Sequence, residues 1–282
     1  MITISCGSPD KQDDATAAAQ AYSRGDLEMA SKLYLRAAEQ GHAVAQYTLG
    51  VMYANGRGVP YDYGEAMGWF RKAADQGYPA AQYSLGLGYR DGDGVLRDST
   101  EAMTWLRKAA EQGHAVAQYN LGVMYTHSDA VSKDDAEAMR WYRKAADQGY
   151  AGAQYNLGLG YRDGDGVPHD IAEAMGWFRK AAEQRHTVAQ YILGSGYRDG
   201  EGVPQNYAQA MSWYREAAEQ GHSPAQYALG SGTPTAEASN ATMLRPRGGT
   251  GRLPTAITRR PNTASASCTP MAEASPATMH RR

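Results

Sequence analysis

Apolar positions along the chain follow a helical rhythm that restarts every 36 residues. Within 43–54, Ala45, Leu49, Met52 and Tyr53 fall at i, i+4, i+7 and i+8, which is one face of a helix. A glycine-rich turn, NGRGVP, follows at 55–60, and Pro60 closes it with a fixed backbone angle. A second helix is predicted to start near Asp62, a residue suited to capping the free N–H groups of a first turn. Ala66, Trp69, Phe70 and Ala73 share its buried face. Gly77 comes after the last turn, where a left-handed residue is favoured. Gly50, Ala66 and Ala73 are small enough to let neighbouring helices approach closely, and the tryptophan is expected to fill the space they leave.

This two-helix unit recurs. The five tryptophans, Trp69, Trp105, Trp141, Trp177 and Trp213, stand 36 apart. The pattern around them covers 43–78, 79–114, 115–150, 151–186 and 187–222. A shorter unit precedes it at 13–42, and a half copy, SPAQYALG, follows at 223–230. One helix pair cannot bury its apolar face alone, whereas stacked pairs bury a continuous core. The expected fold is therefore an all-α solenoid of antiparallel helix pairs over 13–230, between a disordered start at 1–12 and a disordered tail at 231–282.

The spacing of Leu49, Gly50, Tyr53, Ala66, Phe70 and Ala73 resembles a tetratricopeptide repeat. The longer GxGVP turn and the AAxQG ending resemble the Sel1-like repeat more closely. That resemblance implies a right-handed solenoid and a scaffold that binds a protein or peptide partner. Two copies depart from the pattern. In the third, the turn reads THSDAVS, so Ser128, Ala130 and Ser132 replace Gly, Gly and Pro, and another turn shape is expected. In the fourth, Arg185 replaces the glycine after the second helix, at a cost of about 1–2 kcal/mol if the site is left-handed.

Charge and composition narrow the function. The formal net charge is −2, but 231–282 holds seven Arg against two Glu, so the repeats themselves are acidic. An acidic body argues against a nucleic-acid partner. No stretch approaches the roughly 20 apolar residues of a membrane span, and MITISCGSPDKQDD does not read as a signal peptide, so a cytoplasmic protein is the default expectation. The two cysteines, Cys6 and Cys268, lie outside the repeats.

Several chemistries fit poorly. The turns YRDGDGV at 89–95 and 161–167 and YRDGEGV at 197–203 suggest calcium loops. Counted from Asp91, however, the required ligand positions fall on Val95 and Ala102, and the glycine position on Leu96. Glycines that supply positive backbone angles are the expected reading. His42, His114, His186 and His222 recur at helix ends, too far apart in a regular stack to share a zinc ion, so they read as cap or surface residues. No metal or other cofactor is expected. Some Sel1-like proteins are described as penicillin-binding or β-lactamase-like, and such a hydrolase is the alternative function. It needs SxxK, SDN and KTG motifs, and the one SxxK here is Ser8 to Lys11, outside the repeats.

What remains is a groove. In tetratricopeptide relatives the first helix of each pair lines a concave face. Carried over position by position, that face comprises Tyr47, Tyr83, Tyr119, Tyr155 and Tyr191. Val51, Leu87, Val123 and Leu159 flank them, and Arg90, Arg162 and Arg198 run along one edge. Tyrosines suit binding surfaces because they offer large contact area at small entropic cost. The same column also fits packing between repeats, and spacing does not separate the two. The asparagine that clamps a C-terminal carboxylate in some relatives would stand in the Val51 column, which is aliphatic or Ser195, so no such clamp is expected.

The tail keeps the period too. TPTAEASNATM at 233–243 and TPMAEASPATM at 269–279 are 36 apart. A DNA repeat holds its period in any reading frame, so 233–282 is expected to be repeat sequence read out of frame after loss of one nucleotide near Ser231–Gly232. Methionine has one codon, which fixes two shifted codons. Met271 with Ala272 gives glycine in the column of Gly56, and Met279 with His280 gives alanine in the column of Ala136, Ala172 and Ala208.

Overall fold

The computed structural model describes residues 11–127 and 132–231. Among them are thirteen helices and no strand. The helices are α1 (Lys11–Ser23), α2 (Leu27–Glu39), α3 (Ala43–Asn55), α4 (Tyr63–Asp75), α5 (Pro79–Asp91), α6 (Ser99–Glu111) and α7 (Ala115–His127). They continue with α8 (Asp135–Asp147), α9 (Ala151–Asp163), α10 (Ile171–Glu183), α11 (Thr187–Asp199), α12 (Tyr207–Glu219) and α13 (Ser223–Ser231). Each helix packs chiefly on the one before and the one after, as expected for a solenoid. We call the odd-numbered helices A and the even-numbered ones B. Helix α1 begins at Lys11, two residues ahead of the expected boundary. The expected tail disorder and frame shift, and most of the THSDAVS turn, lie outside the described residues.

Caps set the helix ends. Asp62 Oδ1 accepts the Glu65 N–H at 3.0 Å, and Asp98, Asp134, Asp170 and Asn206 cap the later B helices in the same way. Gly77 has φ 84°, its N–H donates to Ala74 O, and the Tyr78 N–H donates to Ala73 O, which closes the B helix with a left-handed turn. Arg185 stands in this column with φ 65° and is the one non-glycine residue with positive φ among the described residues. The turn glycine Gly58 is constrained twice. Its φ is 71°, and a Cβ there would lie 2.1 Å from the Leu27 carbonyl oxygen of the preceding repeat. Gly94, Gly166 and Gly202 face the same obstacle. Ala130, their counterpart in the third copy, is outside the described residues.

The core runs through the stack. A Cβ on Gly50 would meet the Phe70 ring at 2.7 Å, so this glycine column makes room for the B-helix residue beside the tryptophan. Leu106, Tyr142, Phe178 and Tyr214 fill it in later copies. The tryptophan therefore does not fill that space, contrary to the sequence expectation. Trp69 packs in one cluster with Tyr34 of the preceding unit and Leu49 and Met52 of its own, and Trp105 in one with Phe70 of the preceding copy and Leu85 of its own. Each tryptophan ties its repeat to the one before.

A second tie is polar. Gln46, Gln82, Gln118, Gln154 and Gln190 are buried. Gln118 Nε2 donates to Ala110 O of the preceding B helix at 3.0 Å. Its Oε1 accepts from Gln148 Nε2 of its own repeat at 2.7 Å. The same pair of bonds recurs in the other copies, so each buried carboxamide is satisfied across a repeat boundary.

Candidate partner-binding groove

The fifth residue of each A helix from α3 onward is a tyrosine, and repetition brings Tyr47, Tyr83, Tyr119, Tyr155 and Tyr191 onto one face of the stack. All five are half-buried. Each ring is held on two sides. Tyr47 lies 5.8 Å from Phe70 and 5.2 Å from Tyr78, measured between ring centroids. Tyr119 lies 5.9 Å from Tyr142 and 5.0 Å from Tyr150. Tyr83 and Tyr155 stack on His114 and His186 at 4.8 and 4.6 Å, and Tyr191 lies 4.9 Å from His222. The tyrosines thus pack on rings of their own repeat, which lie on the B helix or just before the next A helix, and still present part of each ring. Val51, Leu87, Val123 and Leu159 are likewise half-buried beside them. Tyr227 continues the column in α13 with 77% of its surface exposed.

Three of the four recurring histidines cap helices through their side chains, whereas His42 Nδ1 makes no such bond. His114 Nδ1 accepts the Ala117 N–H at 3.2 Å, His186 Nδ1 the Ala189 N–H at 3.2 Å, and His222 Nδ1 the Ala225 N–H at 3.3 Å. Each of these three imidazoles serves as both N-cap and stacking platform. Burial holds the His114 and His222 rings below the ordinary histidine pKa. Among the described residues, no group of three or more His, Cys, Asp or Glu is placed to hold a metal ion.

The arginine edge is already paired. Arg90, Arg162 and Arg198 each donate two hydrogen bonds, from Nε and Nη2, to the carboxylate of the next residue, at 2.7–2.8 Å. These bonds hold the Asp163 and Asp199 carboxyls below their ordinary pKa. An arginine bound to its own neighbour offers less to a partner than the sequence alone suggests. Arg90 keeps one further bond, from Nη1 to Asn120 Oδ1 at 3.1 Å, across to the next A helix. The stacking partners at 78, 114, 150, 186 and 222 were not singled out as groove residues from sequence. The recurrence of Tyr or His at this one spacing is the signal in the sequence.

The opposite face is built differently. Lys72, Lys108, Lys144 and Lys180 lie 3.6–3.8 Å over the rings of Trp69, Trp105, Trp141 and Trp177. Arg71 and Arg143 reach forward over Trp105 and Trp177, each at 5.1 Å. Charged side chains therefore roof the tryptophan stripe.

Known proteins bear out the repeat. The Sel1 repeat matches six segments: 18–42, 43–78, 79–114, 115–150, 151–186 and 187–222. No curated protein sequence matches the chain. Among solved structures, c5321, a protective antigen of uropathogenic Escherichia coli strains with an SLR fold, is 40% identical with a TM-score of 0.76. The match covers 78% of this chain and 48% of c5321, so the chain spans about half of that protein's length. A Sel1 repeat protein from Oxalobacter formigenes is 34% identical with a TM-score of 0.70, over 77% of this chain and 86% of that one. Among the described residues, no helix is long and apolar enough to cross a membrane. With the repeat matched continuously from 18 to 222, and its tryptophan, glycine and glutamine columns all accounted for by stacking, the chain belongs to the Sel1 repeat family.

Proposed function

We propose that this chain is a non-catalytic scaffold that binds a peptide or protein partner along the A-helix face. Sel1 repeat proteins generally mediate protein–protein interactions and generally act as non-catalytic scaffolds. The observation that carries the finer reading is the half-exposed tyrosine column, backed by stacked His and Tyr rings and flanked by half-buried aliphatic residues. Such rings are pre-ordered by their backing, so a partner covering them loses little conformational freedom. The opposite face offers charges already engaged with tryptophan rings.

The test is partner capture by the intact chain and by a Tyr119→Ala, Tyr155→Ala double variant. Capture is expected to fall sharply with the fold retained by circular dichroism. Unchanged recovery by a folded double variant overturns the assignment of the face. A β-lactamase substrate should show no turnover with the purified protein.

A further inference from the structure

The second and third full repeats differ at the groove-edge position held by Arg90. Asparagine occurs twice in the column that follows the groove tyrosine, as Asn120 and Asn156. In the second repeat, Arg90 of α5 spans to α7 and donates to Asn120. In the third, Thr126 stands where Arg90 stands, and His127 stands where its partner Asp91 stands. Asn156 of α9 therefore has no arginine from α7 to accept.

A cavity of about 430 Å³ lies in this place, with Thr126 and Asn156 both in its wall. The wall also carries Asp135, Asp163 and Asp165, against one ammonium, that of Lys133. Lys133 pairs with Asp135 at 2.9 Å, and Asp163 is held by Arg162. Asp165 is exposed, and its charge adds to the field that raises the Lys133 pKa, behind the larger effect of Asp135. The Tyr142 hydroxyl lies 3.5 Å from Thr126 Oγ1 and beside the Asn156 side chain, whose amide oxygen is an acceptor with two lone pairs. Met139 and Leu159 supply the apolar part of the wall.

We propose that this cavity receives the guanidinium of an arginine from a peptide bound on the A-helix face. The partner's arginine would take the place that Arg90 occupies one repeat earlier. Asn156 would accept one N–H as Asn120 does, the carboxylate of Asp165, which is in neither of these ion pairs, would balance the charge, and the apolar wall would cover the methylene stem. The inference rests on the groove reading above but concerns one pocket within it.

The probe is the tripeptide acetyl-Ala-Arg-Ala-amide, titrated into the full chain and followed by amide NMR. Saturable shifts are expected at Gly160 and at the Asn156 side chain. The citrulline tripeptide, which keeps the shape and loses the charge, should bind at least about tenfold more weakly. Thr126→Arg fills the cavity with the chain's own arginine, as at position 90, and should abolish the shifts. Arginine already stands in this column at 90, 162 and 198, so the variant is expected to fold, which thermal melting verifies. Absence of shifts, equal binding of the citrulline or the lysyl tripeptide, or unchanged binding by Thr126→Arg would overturn the proposal. The two readings fail separately. The tripeptide's binding survives if the tyrosines prove irrelevant to partner capture, and tyrosine-dependent capture survives if the tripeptide does not bind.

Discussion

Two aromatic columns run the length of this solenoid at the same period, and they have different fates. The tryptophans of the B helices reach back into the preceding repeat, and Trp105, Trp141 and Trp177 are each 5% exposed beneath a lysine. The tyrosines of the A helices are backed by the next aromatic or histidine ring and stay half-exposed. Recurrence alone does not distinguish a fully buried column from a half-exposed one. What lies over each ring does, and on the B side that is the aliphatic stem and charge of a residue one turn along the same helix. Trp213 shows the dependence. Glu216 stands where the other copies place lysine, no B helix follows α12 among the described residues, and the ring is only half-buried.

The contrast is broken most strongly at a buried tryptophan. Trp141→Ala should cost about 3–5 kcal/mol in urea unfolding, as for other large core truncations. Trp213→Ala should cost less than about 2 kcal/mol, because part of its surface is already in water. Equal losses, or a loss below about 1 kcal/mol at Trp141, would mean that the stripe is not the inter-repeat tie.

The glutamine ladder comes next. Gln118→Leu keeps most of the volume but leaves Ala110 O and one Gln148 amide donor without their partner, at a cost of about 1–3 kcal/mol. Gln226 makes the equivalent bond to Ala218 O at an exposed site, so Gln226→Leu should change stability by no more than about 0.5 kcal/mol. Similar values at the two positions would remove burial as the reason the ladder matters.

A smaller effect has the opposite sign. Arg185 holds φ 65° in a column otherwise filled by glycine, and a Cβ built on Gly77, Gly113, Gly149 or Gly221 meets nothing within 4 Å. The strain at Arg185 is therefore intrinsic to its backbone angle, and Arg185→Gly should stabilise by about 1 kcal/mol. A destabilised Arg185→Gly variant would show that the arginine side chain contributes more than its backbone costs.

The weakest effect is a pH dependence on the tyrosine side. The folded pKa of His114 and His222 lies below the unfolded value because burial disfavours the imidazolium, whose Nδ1 must also stay unprotonated to accept a helix N–H. The unfolded chain therefore binds more protons as pH falls. This contribution is fully present above about pH 6.5 and is lost as pH drops below the unfolded value and through the folded one. His114→Tyr, which places there the residue found at 78 and 150, should flatten part of the acid limb of a stability–pH curve. An unaltered curve would show that the ring does not titrate on unfolding.

Much of this was legible in the sequence. The A helix expected at 43–54 runs to Asn55, Asp62 caps the B helix, and Gly77 and Arg185 are left-handed as their column requires. These features are local, and local rules suffice for them. The glutamine ladder was not foreseen, because a glutamine reads as a surface residue until its partner, 30 positions away or in the previous repeat, is known. The tryptophan is expected from sequence to fill the space left by Gly50, Ala66 and Ala73, but a helical face carries no label for which neighbour it meets. The recurrence of the five tyrosines is plain in the sequence, yet their backing rings lie 31 residues on and meet them only once the chain has folded back through the B helix. Thr126 was visible as a break in an arginine column, but the cavity it opens depends on Asn156 in the next A helix.

The face assignment can be tested directly by site-specific photo-crosslinking in cells. A benzophenone amino acid is placed at half-buried Ser84 on the A-helix face, or at exposed Thr104 on the B-helix face. The proposed groove predicts a discrete crosslinked partner from position 84 and none from position 104. A partner crosslinked only from position 104, or equally from both, would contradict it.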